Sequence, residues 1–418
     1  MLTLNYHDMR RIATPAEWEQ EIQRRAPLAG LLKNGEPRHA DNLGWLDPDE
    51  CAGEKQLAQI ETLAGTIRKE ADVFVVVGIG GSNNAARAAI SALQRPGEPE
   101  IVYMGNTLSP HALVKALERL EGKSVYIDCI AKNFETLEPG ASFRVLRKWL
   151  KLRYGEDADR RIVVTGTKGS PLDELAQRHG WHFVAFPETV GGRYSGLTAV
   201  GLLPMAVAGL DIRAMVAGAR ETRKWLLAAE PEENLALRYA CLRNLLYRKG
   251  YRVEMLSAFE PQFQGFFRWW RQLFAESEGK DSKGIFPVAA ENSEDLHSIG
   301  QYVQDGEPII FETFLDAQTP NALLSPEPDG VLDGFDYLNG KDFWAVNKIA
   351  FMATREAHSR KLPCITLGIE ALNERTFGAL FYFYPCVCYL SGTILGINPF
   401  DQPGVEAYKG YMFEALGK

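Results

Sequence analysis

The segment Val73-Phe74-Val75-Val76-Val77 is an unbroken run of β-branched and aromatic residues. A strand with no polar alternation is buried on both faces, which is the condition of a parallel sheet covered by helices. Gly78-Ile79-Gly80-Gly81-Ser82 follows as a tight loop, and 83–93 is an Ala-rich helical stretch. The unit then repeats. Residues 124–130 read as a strand and 136–152 as a helix, with Pro139 tolerated in its first turn. Residues 161–165 read as a strand, 171–179 as a helix and 181–186 as a strand. This alternation predicts a parallel sheet with helices on both faces. Ligands gather at the carboxyl ends of such strands, here 78–82 and 131–136.

A second set of the same kind follows a long apolar helix at 197–210, a passage between the two. Helices are expected at 233–248, 262–277, 343–360 and 374–395, and strands at 252–257, 308–314 and 364–369. Pro385 should kink the last helix. Residues 1–50 are rich in Pro and charge and are expected to form short helices wrapping the first unit. The expected division is 1–50 as a wrapping segment, 51–200 and 201–395 as two α/β domains, and 396–418 as a C-terminal segment.

At 418 residues the chain is long enough for two substantial cores. Its net charge of −8 argues against non-specific nucleic-acid binding, which needs a dense basic surface. Met1 to Arg11 are mixed and polar, without the apolar stretch of a signal peptide, and no membrane span is expected. The six cysteines (Cys51, Cys129, Cys241, Cys364, Cys386, Cys388) form no CxxC pair and read as reduced core residues of a cytoplasmic protein.

The loop 78–82 sits after a strand and before a helix, where glycines let backbone N–H groups face an anion and Ser82 adds a hydroxyl. The spacing is not that of a dinucleotide site, since Ala85 stands where the last glycine would be. The loop Ile130-Ala131-Lys132-Asn133-Phe134-Glu135-Thr136 takes the equivalent position after the second strand. Phe266, Phe267, Trp269, Trp270, Leu273 and Phe274 read as a core stripe. Gln272 and Glu276 are four apart and share one helical face, while Glu278 faces elsewhere. The seven histidines, His7 and His297 among them, show no HxxxH or HExxH spacing. No metal site is marked by this spacing, and neither a metal nor a cofactor is expected.

Three segments in order carry a resemblance: Val190-Gly191-Gly192-Arg193-Tyr194-Ser195, Gln272-Leu273-Phe274-Ala275-Glu276-Ser277-Glu278-Gly279-Lys280, and Asn398-Pro399-Phe400-Asp401-Gln402-Pro403-Gly404 running on to Lys409. Together they resemble the signatures of the phosphoglucose isomerase family. The resemblance implies two SIS-type αβα sandwich domains with parallel sheets and a C-terminal helical segment. It implies an aldose–ketose isomerase acting on a hexose with an anionic group at C6, through a cis-enediol. It makes Glu276 the base between C1 and C2, Arg193 the cation that stabilises the enediolate, and Lys409 a group near the ring oxygen. His297, in Asp295-Leu296-His297-Ser298, would help open the ring and would reach the site of a partner subunit, which implies a homodimer. Gly81, Ser82, Lys132, Asn133, Thr136, Gly192, Gln272 and Gln402 would bind substrate.

The chain departs from the family at two places. In the phosphate loop, Ala131, Asn133 and Glu135 replace hydroxyl residues, while Lys132 and Thr136 match. Glu135 either adds a negative charge near the anion or points to solvent. A phosphate monoester carries about −1.5 to −2 charge near neutral pH, so this loop suits it less well than a sulfonate monoanion. The second departure is Pro385, where the family usually has an acidic residue. Glucose 6-phosphate and fructose 6-phosphate are the leading substrates. Sulfoquinovose and 6-deoxy-6-sulfofructose are the alternative. A non-catalytic sugar-phosphate-binding module is the remaining reading, and the combined presence of Glu276, His297, Lys409 and Arg193 argues against it.

Overall fold

The computed structural model describes residues 2–6 and 13–417; Met1, 7–12 (His7 included) and Lys418 lie outside the described residues. The described strands are β1 (Thr3–Asn5), β2 (Val73–Val77), β3 (Glu100–Met104), β4 (Val125–Ala131), β5 (Ile162–Gly166), β6 (His182–Ala185), β7 (Val253–Ala258), β8 (Phe286–Glu291), β9 (Ile310–Ala317) and β10 (Cys364–Ile369).

They form two sheets. The first runs β3-β2-β4-β5-β6 and is parallel throughout. Every residue of β2 and β4 is buried, as expected of central strands covered by helices on both sides. After β2 the chain steps outward to β3, then returns past β2 to β4. The switch point, where loops diverge and leave a crevice, therefore lies between the carboxyl ends of β2 and β4. The fold class expected from the alternation, two parallel α/β sheets, is the one observed.

The second sheet runs β1-β10-β9-β7-β8, with β7 to β10 parallel and β1 antiparallel at the edge. It has the same 2-1-3-4 order, and its switch point lies between β7 and β9. That crevice is filled by the Phe343–Ser359 helix. Lys348 pairs with Asp316, and Asn347 Nδ2 donates to Phe259 O at 3.0 Å and to Glu260 Oε1 at 3.2 Å. Only about 10 Å³ of space is left there. Of the two equivalent crevices, the first alone is open to a ligand.

Several expectations are corrected. The N-terminal segment does not simply wrap the first unit. Thr3, Leu4 and Asn5 pair with Gly368, Leu367 and Thr366 of the second sheet, and Trp18 on the Pro15–Arg25 helix is buried. Pro385 lies inside a helix that runs from Glu374 to Leu395 without interruption. This helix is long and apolar enough to cross a membrane, but 78% of its apolar window is buried inside the protein, among the 212–228, 235–248 and 264–278 helices. Strands β3 and β8 and the Glu54–Glu70, Pro110–Glu118 and Ile212–Ala228 helices were not expected. The aromatic stripe of the Gln264–Glu278 helix is core, and the six cysteines are unpaired and buried.

Candidate active site

The open crevice is a cavity of about 840 Å³ lined by the 79–82 loop, the 130–139 loop, Gly191–Arg193, Gln272, Glu276 and the C-terminal 402–413 segment. Gly81 and Gly192 make the first junction. A Cβ on Gly81 would lie 2.1 Å from the carbonyl carbon and oxygen of Gly192. The two loops thus touch backbone to backbone. Gly80 is in the left-handed region at φ 57°, and a Cβ there would meet the Gln272 amide at 2.8 Å.

Arg193 starts from that junction and is 3% exposed. Its Nε donates to Ser277 Oγ at 2.8 Å, and Nη1 donates to Gln402 Oε1 at 3.0 Å. Nη2 donates to the carbonyls of Pro399 (2.8 Å) and Asp401 (3.1 Å). Nη1 also lies 3.3 Å from Glu276 Oε1. A guanidinium held by this many partners cannot swing away, so its charge stays at one point in the cavity wall.

Glu276 comes from the last turn of the Gln264–Glu278 helix. Gln272, one turn earlier, donates to Glu276 Oε2 at 3.0 Å and accepts at its own Oε1 from Asn84 Nδ2 at 2.7 Å. The shared face of Gln272 and Glu276 is therefore observed. Glu278 is fully buried and paired with Arg243, on the other side of the helix. Gln402 meets the site through Arg193. Lys409 lines the cavity from the Glu406–Ala415 helix, and its Nζ donates to Glu406 Oε1 at 2.8 Å. The Glu406 hydrogen bond holds its pKa above the usual lysine value.

At the other wall, Thr136 is the N-cap residue of the Leu137–Tyr154 helix, and its side chain makes no capping bond. The first-turn N–H groups of that helix form an anion-facing end. Lys132 Nζ donates to the carbonyls of Glu188 (2.6 Å) and Val190 (3.3 Å), which ties the 186–191 loop to the end of β4. Burial lowers its pKa, with Glu188 opposing. Phe134 takes a left-handed φ of 53° and seats its ring edge-on to Phe143 at 6.0 Å. Ser82, Asn133 and Glu135 complete the wall, with Glu135 exposed at the rim.

His297 is the one expected catalytic residue not brought to the cavity. It is exposed in a short turn after β8. The sequence reading also missed contributors. Asn84 orients Gln272, Ser277 accepts from Arg193, and Glu406 pairs with Lys409. The three-residue spacing of Glu406 and Lys409 was a usable signal; nothing local marked Asn84.

A carboxylate set against an immobile arginine, at the open switch point of a doubly wound α/β protein, defines an enzyme of acid–base chemistry on a small polar ligand. The sequence model of the family described as phosphoglucose isomerase matches residues 56–300. The chain is 44% identical over 413 residues to a protein of Staphylococcus saprophyticus named glucose-6-phosphate isomerase, covering 96% of this chain and 93% of the relative. A protein of that name from Symbiobacterium thermophilum is 43% identical over 388 residues, covering 90% and 87% of the two chains. Among solved structures, a hypothetical protein from Thermus thermophilus superposes with TM-score 0.90 at 29% identity over 100% of both chains. A glucose-6-phosphate isomerase from Chlamydia trachomatis has the same fold, with TM-score 0.83 and 18% identity over 100% of this chain and 88% of that one. The chain belongs to the phosphoglucose isomerase family, and it is an isomerase.

Proposed function

We propose that the protein interconverts glucose 6-phosphate and fructose 6-phosphate. The observation that carries this reading is the pairing of Glu276 with Arg193 in the open cavity. In the forward direction the Glu276 carboxylate takes the C2 proton of the open-chain aldose. The electron pair moves into a C1–C2 double bond, and the C1 oxygen, which gains the charge, is stabilised by Arg193. The O2 proton passes to O1 across the cis-enediolate, the same carboxylic acid returns its proton to C1, and C2 becomes the carbonyl carbon of the ketose. Lys409 and His297 assist ring opening. The C6 phosphate lies against Gly81, Ser82, Lys132, Asn133 and Thr136, while Gly192, Gln272 and Gln402 hold the reacting end. The names of the relatives favour the phosphate over the sulfonate.

The protein acts as a homodimer in this reading, with His297 completing the partner's site. Its support is the exposed position of His297 and the exposed apolar side chains of Ile299, Tyr302, Ile349 and Met352. The domain division at 50, 200 and 395 is part of the proposal, and its support is that, β1 apart, each sheet is built from strands on one side of residue 200. A cytoplasmic location fits six reduced cysteines.

The test is an isomerase assay comparing kcat/KM for glucose 6-phosphate and sulfoquinovose at neutral pH. A strong preference for the phosphate is expected. Preference for sulfoquinovose would overturn the substrate and assign the change to Ala131, Asn133 and Glu135. Glu276→Gln should abolish turnover while ligand binding persists. Surviving turnover would remove Glu276 as the base.

A further inference from the structure

Glu276, Ser277 and Glu278 are consecutive residues in the last turn of one helix, and they point in three directions. Glu276 enters the cavity, Ser277 accepts from Arg193, and Glu278 enters a buried cluster behind the site. A terminal helical turn ordinarily frays, because its carbonyls lack partners within the helix. The turn that follows is no conventional cap: Asp281 and Ser282 are both left-handed, at φ 52° and 57°. A base in that position needs an outside anchor.

Arg193 holds this turn from the cavity side, and Arg243, on the Leu235–Arg248 helix with its side chain 0% exposed, holds it from behind. Its Nη1 donates to Glu278 Oε1, and Nη2 donates to Glu278 Oε2 at 3.2 Å, so the carboxylate is gripped by both ends of the fork. Arg243 is itself fixed. Its Nε donates to Glu254 Oε2 on β7 at 2.6 Å, and Nη1 donates to Ser391 Oγ at 2.8 Å. Its guanidinium lies over the Phe274 ring, 4.0 Å from the centroid, on the same helix as the base. The helix end is thereby tied to the second sheet and to the Glu374–Leu395 core helix at once.

We propose that Arg243 and Glu278 are positioning residues that set the location of the Glu276 carboxylate against C1 and C2. The inference rests on the assignment of Glu276 as base. Neither residue touches the cavity, and each acts through the backbone of the last turn. A shift of about 1 Å in a reacting group costs roughly 10²-fold in rate. Loss of the grip therefore lowers kcat and leaves substrate binding, which other walls supply, near its original strength.

The test measures kcat, KM and melting temperature of Glu278→Gln, Arg243→Lys and Tyr239→Phe with glucose 6-phosphate. Tyr239 hydrogen-bonds Glu254 and Thr313 in the same cluster and makes no hydrogen bond to Glu278, so it reports cluster stability without the grip. Glu278→Gln keeps the shape and loses the charge; its kcat should fall about 10- to 100-fold with KM within about twofold. Arg243→Lys keeps the charge and loses the fork, and should fall less. Tyr239→Phe should melt lower with kcat unchanged. Full kcat in Glu278→Gln, or kcat falling in all three variants in step with melting temperature, overturns the inference. The Glu276→Gln assay separates the two failures: if that variant is dead and Glu278→Gln is fully active, only the positioning role is wrong.

Discussion

Nη1 of Arg193 lies 3.3 Å from Oε1 of Glu276, although one residue comes from the loop that leaves the first sheet and the other from a helix of the second unit. The pair places a fixed positive charge beside a carboxylate, so in the proposed mechanism negative charge leaving Glu276 for the substrate oxygen stays within reach of one cation. Arg193→Lys retains the charge and loses the fork that reaches Ser277, Gln402, Pro399 and Asp401. Its kcat should fall by about 10²-fold. Its stability should drop by about 1–3 kcal/mol, because buried carbonyls lose their donors. Steady-state kinetics and urea titration measure both.

The contact between the 81 and 192 loops makes an asymmetric prediction. A Cβ on Gly81 would meet the Gly192 backbone at 2.1 Å, whereas a Cβ on Gly192 has nothing nearer than Gly81 Cα at 3.8 Å. Backbone cannot rotate aside as a side chain does. Gly81→Ala should force the loops apart and lower kcat/KM by about 10²-fold or more. Gly192→Ala should change stability by no more than about 0.5 kcal/mol. Equal melting losses in the two variants would contradict the geometry.

Asp128 is a fully buried carboxyl on β4, where the Thr165 hydroxyl is its hydrogen-bond partner. Burial pushes its pKa from 3.8 up to about 7, against the opposing Thr165 bonds. The folded state therefore holds this proton more tightly than the unfolded chain. Between about pH 4 and 7 the folded state binds more protons, so the contribution to stability falls as pH rises through that window and is level above it. Asp128→Asn should remove this slope and raise stability at pH 8 by on the order of 2 kcal/mol. Melting curves from about pH 4 to 8 for both proteins check the sign.

His297 should contribute to a site other than that of its own chain. His297→Ala should reduce turnover strongly with little change in melting temperature, as its side chain is exposed. Mixing it with Glu276→Gln, after unfolding and refolding together, should restore part of the activity. In a twofold dimer, one of the two sites then receives both intact residues. No recovery would place the two residues in the same site or remove the dimer from the mechanism.

Strands whose residues are nearly all apolar were legible, because burial on both faces leaves little room for a polar position: β2, β4, β5 and β10 are examples. Strands β3 and β8 were not. They begin or break with Glu100 and Pro287, and β8 is half-buried. The Ile212–Ala228 helix was missed because its charged face dilutes the apolar stripe. The Glu374–Leu395 helix was legible through Pro385, and it is enclosed by three others.

The site divides along the same line. The sequence by itself determined what is local: the glycine loop at the end of β2, the shared face of Gln272 and Glu276, and the opposite facing of Glu278. Helical and strand periodicities fix such relations within a few residues. Only the tertiary structure decided that Lys132 would bind the carbonyls of Glu188 and Val190, and that Arg193 would be locked by the 399–402 segment. It alone left one switch point open and filled the other with Lys348 and Asn347. These outcomes join residues distant along the chain. They follow from which surfaces the two sheets bury and which carbonyls remain without a donor, and no short window of sequence carries that information.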